Sequence, residues 1–256
     1  MTALGLMALV AVFFFTSVIG VVTGANSLIT VPAMLQVGID PRVAIATNML
    51  ALTFLSIGGT LPFLGRGVLD RRRLPLLVIL TLVGSVLGAL LVLVVAVEAL
   101  PLLIALFMLV IVLFMLFNRG AGVAPAAAPT RAGEVAGYAA TLALGVYGGF
   151  FSGGYVTLLT AAYVAFFGMS FLQAVAVTKL VNVFSSLVAT LVFAFQGLID
   201  YRLGLVLSLT MFVGGLSGAR LAMRLEGPWL RRLFLAIVIL LALKTLLYDV
   251  LWRALG

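Results

Sequence analysis

The segment Gly67-Val68-Leu69-Asp70-Arg71-Arg72 returns 130 residues later as Gly197-Leu198-Ile199-Asp200-Tyr201-Arg202. Apolar stretches resemble one another by chance, because they draw on a small alphabet. Hydrophobicity does not force Gly, Asp and Arg into matching places. The same ungapped offset pairs Gly24 with Gly154, Thr30 with Thr160, Gly38 with Gly168, Ala44 with Ala174, Thr60 with Thr190, Gly84 with Gly214 and Gly88 with Gly218. The chain therefore reads as an internal duplication. Residues 1–117 form repeat one, 118–134 a linker and 135–256 repeat two.

Around the duplicated loop the chain is apolar. Of its 256 residues, 65% are hydrophobic and 9% are charged, against roughly 25% charged in an ordinary soluble domain. Such a chain cannot cover itself with polar groups, so lipid is its solvent. Apolar stretches run over 4–22, 27–37, 43–63, 74–97, 101–117, 135–151, 155–167, 171–195, 203–223 and 229–252. A helix crosses the hydrocarbon core with about 20 residues. Helices satisfy their own backbone in lipid, and the period-two alternation of a membrane barrel is absent. The expected fold is an all-α integral membrane protein of two repeats, each with about five helical segments. Met1-Thr2-Ala3 carries no basic region, so no cleaved signal is expected.

Two places interrupt the pattern. The stretch from Leu4 to Val37 is too long for one crossing and is broken at Thr23-Gly24-Ala25-Asn26-Ser27; Val135 to Phe167 is broken at Ser152-Gly153-Gly154. Each break is followed by a short piece, so each repeat opens with a broken or re-entrant hairpin.

Loop charge sets the orientation. Arg66, Arg71, Arg72 and Arg73 make the first repeated loop basic, and the next loop holds only Glu98. In repeat two the bias reverses. The equivalent loop has only Asp200 and Arg202, and the following one is flanked by Arg220, Arg224, Arg231 and Arg232. Basic loops stay in the cytoplasm. Equivalent loops therefore face opposite sides, and the repeats are inverted in the membrane. The expectation is a bacterial inner-membrane protein with a cytoplasmic linker and both termini outside. Inverted repeats with broken helices are a recurring transporter plan, with the site near the midplane.

The patterns Gly24-Ala-Asn-Ser-Leu-Ile-Thr-Val-Pro32, Gly38-Ile-Asp-Pro-Arg-Val-Ala-Ile-Ala-Thr-Asn48 and Gly67-Val-Leu-Asp70 resemble the sulfite exporter TauE/SafE family. Gly153-Gly154, Ala174-Val-Ala-Val-Thr-Lys-Leu-Val-Asn182 and Gly197-Leu-Ile-Asp200 resemble its second repeat. The resemblance spans nearly the whole chain. It implies a bacterial permease for small anionic sulfur compounds such as sulfite, sulfoacetate or other organosulfonates. The chain departs from the pattern at Asn26 and Ser27, where the family has glycines, and at Val177, where a threonine is common.

Lys179 lies about 12 Å along the 171–195 stretch at 1.5 Å per residue. A charge at that depth costs about 2.5–3.5 kcal/mol, so it should face a cavity or a partner. No acidic residue lies near it in sequence. An anion would serve as partner; snorkelling to the nearer interface or capping of buried carbonyls is the other reading. Asn182 and Ser186 share its helix face at i+3 and i+7. They either donate to the substrate or bond between helices. At the breaks, the first N–H groups of a helix lack partners within it and its dipole favours anions. Asn26, Ser27, Ser152, Gly153 and Gly154 are candidates there, with simple capping by Asn26 and Ser152 as the alternative. Thr47, Asn48 and Thr178 stand near the breaks in the repeat frame and rank second. Lys244 reads as a snorkelling residue.

The chain has neither Cys nor His, so no disulfide, Cys/His metal site or other cofactor is expected, and no buried acid–base set suggests an enzyme. The net charge of +8 is a topology signal, not a nucleic-acid surface. The expected activity is alternating-access transport of a small anion, with H+ or Na+ as coupling ion. The alternative is a passive channel or permease for another small anion or a neutral solute. Oligomeric state is left open, and lipid is the surrounding partner.

Overall fold

The computed structural model describes residues 3–24, 26–65, 67–117 and 130–222. Most of the linker, the expected last span with Lys244, Arg231 and Arg232, and also Arg66 and Arg224 lie outside the described residues. Those described form helices and turns without a strand. Repeat one contributes α1 (Ala3–Thr23), α2 (Ser27–Gln36), α3 (Pro41–Thr60), α4 (Leu74–Val94) and α5 (Leu100–Phe117). Repeat two contributes α6 (Arg131–Phe150), α7 (Tyr155–Phe167), α8 (Phe171–Phe195) and α9 (Tyr201–Ala222). Five of the described helices, α1, α3, α4, α8 and α9, are long and apolar enough to cross a membrane. The chain is a multi-pass membrane protein. At 10 and 13 residues, α2 and α7 are about 15 and 20 Å long, short of the roughly 30 Å hydrocarbon core.

Local chemistry explains the duplicated loop. Gly67 and Gly197 hold φ of +70° and +65°, with nothing within 4 Å of an added Cβ. The left-handed conformation, not crowding, calls for glycine. Asp70 Oδ1 accepts from the Arg72 and Arg73 N–H groups, each at 3.2 Å, and Asp200 Oδ1 accepts from Leu203 N–H at 3.0 Å. Asp70 thus holds the turn that leads into α4, whose N-cap is Arg73, whereas Asp200 caps the first turn of α9. Asp40 does the same for α3, ahead of Pro41, and Ser170 with Gln173 forms a capping box on α8.

The long helices carry apolar residues outward and small or polar ones inward. On α4, Leu76, Ile79, Val83, Leu87, Leu90 and Val94 are exposed, whereas Thr81, Gly84, Ser85 and Gly88 are buried. Lipid covers the first face, and the second allows close backbone approach. Gly84 and Gly88 lie against Leu142 and Val146 of α6, and Gly214 and Gly218 lie against Phe14, Ser17 and Val18 of α1. In both pairs the contacts advance together, so α4 runs parallel to α6 and α9 parallel to α1.

The central crossing is between α3 and α8, which run antiparallel. Thr53 meets Thr190, Ser56 meets Asn182 and Gly59 meets Lys179. Helix α9 also packs on α3, and α4 on α8. The described helices thus form two packed groups. One is α1, α3 and α9; the other is α4, α6 and α8. Each group draws on both halves of the sequence.

Candidate substrate site at the helix breaks

Both breaks are built from left-handed residues. Gly24 has φ +65° between α1 and α2, and Ser152 and Gly154 have φ +65° and +80° between α6 and α7. For Ser152 that conformation costs about 1–3 kcal/mol and persists only where surroundings impose it. Its side chain is buried, and the next carbonyl, of Gly153, accepts from the Tyr147 hydroxyl.

The breaks touch each other. An added Cβ on Gly24 would lie 2.7 Å from Val156 Cβ and 2.8 Å from Thr157 N; one on Gly153 would lie 2.6 Å from Leu28 Cδ2. Each break therefore sits on the first turn of the other repeat's short helix, and the two N-termini converge.

Each short helix is then pinned to the long helix after it. Thr30 donates to Asn48 Oδ1 at 2.8 Å, and Asn48 Nδ2 donates to Ser27 Oγ at 2.9 Å. The Thr160 and Thr178 hydroxyls lie 3.1 Å apart. Thr160 is the repeat equivalent of Thr30, and Thr178 that of Asn48. The two braces occupy the same places in the two repeats. Thr47 is engaged elsewhere: its hydroxyl accepts from Asp200 N–H at 3.1 Å, at the start of α9.

Beside the first break lies the polar centre. Lys179 is 1% exposed and is the sole charged side chain among the described buried residues. Its stem packs against Gly59 and its Nζ lies 3.4 Å from the Gly20 carbonyl oxygen. No described carboxylate comes within ion-pair distance; the acidic partners Asp70 and Glu134 both go to Arg73. Lys179 is enclosed in this conformation, with a carbonyl as its neighbour. One carbonyl at that distance answers weakly to an ammonium with three donors.

Asn26 packs its amide against Gly20, the same residue that Lys179 reaches. It makes no side-chain cap to α2, so the capping reading does not hold for it. Its Nδ2 is buried without a partner. Ser152 likewise stands ahead of the α7 N-cap, which is Gly154. Asn182 Nδ2 donates to Ser56 Oγ at 2.6 Å, while its Oδ1 is buried and unpartnered. The Ser186 hydroxyl donates to the Asn182 carbonyl of its own helix at 2.7 Å. The expected stripe Lys179–Asn182–Ser186 thus contracts to its first two members, joined by Asn26.

Gly20, Ser56 and Gly59 were not singled out from sequence. Ser56 had a signal, since it stands 130 residues before Ser186; Gly20 acts through its carbonyl, which no residue type announces. The polar centre is also one-sided. The repeat equivalents of Lys179 and Asn182 are Met49 and Leu52, both buried.

An unpaired buried polar group costs about 1–3 kcal/mol. A buried cation, an idle amide donor and the start of α2 in one place make a setting that an anion would complete.

The family model for the sulfite exporter TauE/SafE matches residues 9–245. A probable membrane transporter protein ORF9 of Sinorhizobium sp is 30% identical over 237 residues, covering 91% of this chain and 89% of the relative. The probable membrane transporter protein YfcA of Escherichia coli K12 is 30% identical over 249 residues, covering 94% and 90%. A probable membrane transporter protein of Haemophilus influenzae is 28% identical over 251 residues, covering 96% of each. No solved structure matches the chain.

Proposed function

The chain belongs to the sulfite exporter TauE/SafE family, and from that premise we propose that it is an alternating-access transporter of small anions, of the sulfite or organosulfonate type. Its relatives carry transporter names and no enzyme name. The membrane is the bacterial inner membrane, with both termini outside. The coupling ion is H+ or Na+. The substrate sits at Lys179, Asn26 and Asn182, against the start of α2.

One observation carries this reading: Lys179 is buried with no described acid to neutralise it, and it shares its neighbour Gly20 with the unpartnered amide donor of Asn26. The enclosure of Lys179 supports a carrier over an open pore, because a pore would keep the charge hydrated.

Inverted repeats are part of the proposal. Equivalent helices α3 and α8 run in opposite senses, which supports inversion, and so does the reversed loop charge. In this proposal the rocking bodies each draw on both halves of the sequence. The packing favours α1, α3 and α9 as one body and α4, α6 and α8 as the other, with the site on the α3–α8 seam.

The test is uptake of radiolabelled sulfite into proteoliposomes, with wild type and Lys179→Ala compared. Saturating flux with counterflow in the wild type, and none in a folded variant, is the expected result. Unchanged flux in the variant removes the mechanism, and unsaturated conductance replaces the carrier by a channel.

A further inference from the structure

The charge count around Lys179 says which anions the site takes. We infer that it accepts one singly charged oxyanion and rejects doubly charged ones; this rests on the anion-carrier reading above.

Among the described residues, the side chains that share a neighbour or a helix turn with Lys179 are neutral: Val21 beside Gly59, Asn26 beside Gly20, and Asn182 with its partner Ser56. The described acids sit at helix ends or loops, as Asp40, Asp70, Glu98, Glu134 and Asp200, and none is buried. Arg42 and Arg73 bond elsewhere, to the Leu93 and Val95 carbonyls and to Asp70 and Glu134 respectively.

Helix dipoles do not add a second full charge. A helix start carries about half a positive charge and a helix end about half a negative one. Each break joins an end to a start: α1 to α2 at Gly24, and α6 to α7 at Ser152–Gly154. The two partial charges oppose each other there, and Gly20, which Lys179 reaches, belongs to the last turns of α1. The duplication supplies no second cation either, since Met49 stands where Lys179 would repeat.

A monoanion on Lys179 therefore makes a neutral pair in an enclosed, low-dielectric place. A dianion leaves one uncompensated negative charge there, and isolated buried charge is heavily penalised. The hydrogen-bond pattern points the same way. Asn26 Nδ2 is an idle donor, but Asn182 Oδ1 is an idle acceptor. A fully deprotonated oxyanion offers only acceptors. A singly protonated one also offers an O–H, which Asn182 Oδ1 can receive, so a diprotic acid should bind in its hydrogen form.

Methanesulfonate and sulfate test this, because they are close in shape and differ by one charge. Binding of each to purified full-length protein in nanodiscs is measured by calorimetry at neutral pH and matched ionic strength. Lys179→Met and Lys179→Arg are run beside the wild type, with size-exclusion profiles as the folding check. Methanesulfonate should bind, with sulfate at least about tenfold weaker, or 1.4 kcal/mol. Lys179→Arg should keep that order and Lys179→Met should bind methanesulfonate about ten- to hundredfold more weakly. Sulfate binding as tightly as methanesulfonate overturns the valence rule and leaves the anion site standing. Equal binding by wild type and a folded Lys179→Met, or no binding of either anion, overturns both. The wild-type comparison decides the valence rule even if the Met variant does not fold.

Discussion

Lys179 Nζ on α8 lies 3.4 Å from the carbonyl oxygen of Gly20 on α1, so the cation of one helix group rests on the backbone of the other. Its burial is unfavourable until an anion arrives. Lys179→Met, which restores the residue type of the repeat equivalent, should therefore raise thermal stability while weakening anion binding about ten- to hundredfold, the worth of a charged hydrogen bond at 1.5–3 kcal/mol. Thermal unfolding in detergent and calorimetry check the two halves. A loss of stability together with retained binding would count against the site.

The chain contains no cysteine, which makes inversion directly testable. Arg71 and Tyr201 are exposed at equivalent loops. Arg71→Cys should react with an impermeant maleimide only after cells are permeabilised, and Tyr201→Cys should react in intact cells. Labelling of both from the same side would show that the repeats are parallel.

The glycine seam should be more sensitive than the turn glycines. An added Cβ at Gly88 would press on the backbone of Val146 and Phe150, whereas at Gly38 it meets nothing within 4 Å and only the φ of +83° resists it. Gly88→Val should cost about 1–3 kcal/mol through overpacking. Gly38→Ala should cost about 1 kcal/mol through the left-handed backbone alone. Equal melting temperatures for the two variants would contradict the seam.

The braces of the short helices can be measured by double-mutant cycles. Asn48→Leu removes the partner of both Thr30 and Ser27, so it should cost about 1–3 kcal/mol. The Thr30–Asn48 and Thr160–Thr178 pairs should each show a coupling of about 0.5 kcal/mol or more. Zero coupling in both cycles would mean that α2 and α7 are held by apolar packing alone.

Much of this architecture was legible before any coordinates. The Gly67/Asp70 and Gly197/Asp200 pairs announced the duplication, because residue types with local jobs do not match by chance in loops. The breaks and the depth of Lys179 were legible as well. Packing partners were not. The offset of 130 residues says that α4 corresponds to α9, and nothing about α4 lying on α6 and α9 on α1. Ser186 looked free on its helix face, but a serine in an apolar helix turns its hydroxyl back to the carbonyl four residues earlier. Asn48 and Thr178 bond to the short helices that follow the breaks, whereas Thr47 bonds to Asp200 at the start of α9. The hydrogen bonds they make are structural ones, and only side-chain geometry reveals which polar atoms remain idle.

The exchange of α4 and α9 between the helix groups has a consequence for biogenesis. When the ribosome finishes the first repeat, α4 is already inserted, yet the α6 backbone that receives Gly84 and Gly88 has not been synthesised. That notch must face lipid or a chaperone until the second repeat emerges, and α1 waits longer still for α9. Nascent chains stopped within the linker should accordingly be short-lived, degraded as orphans although every helix they contain is correctly inserted.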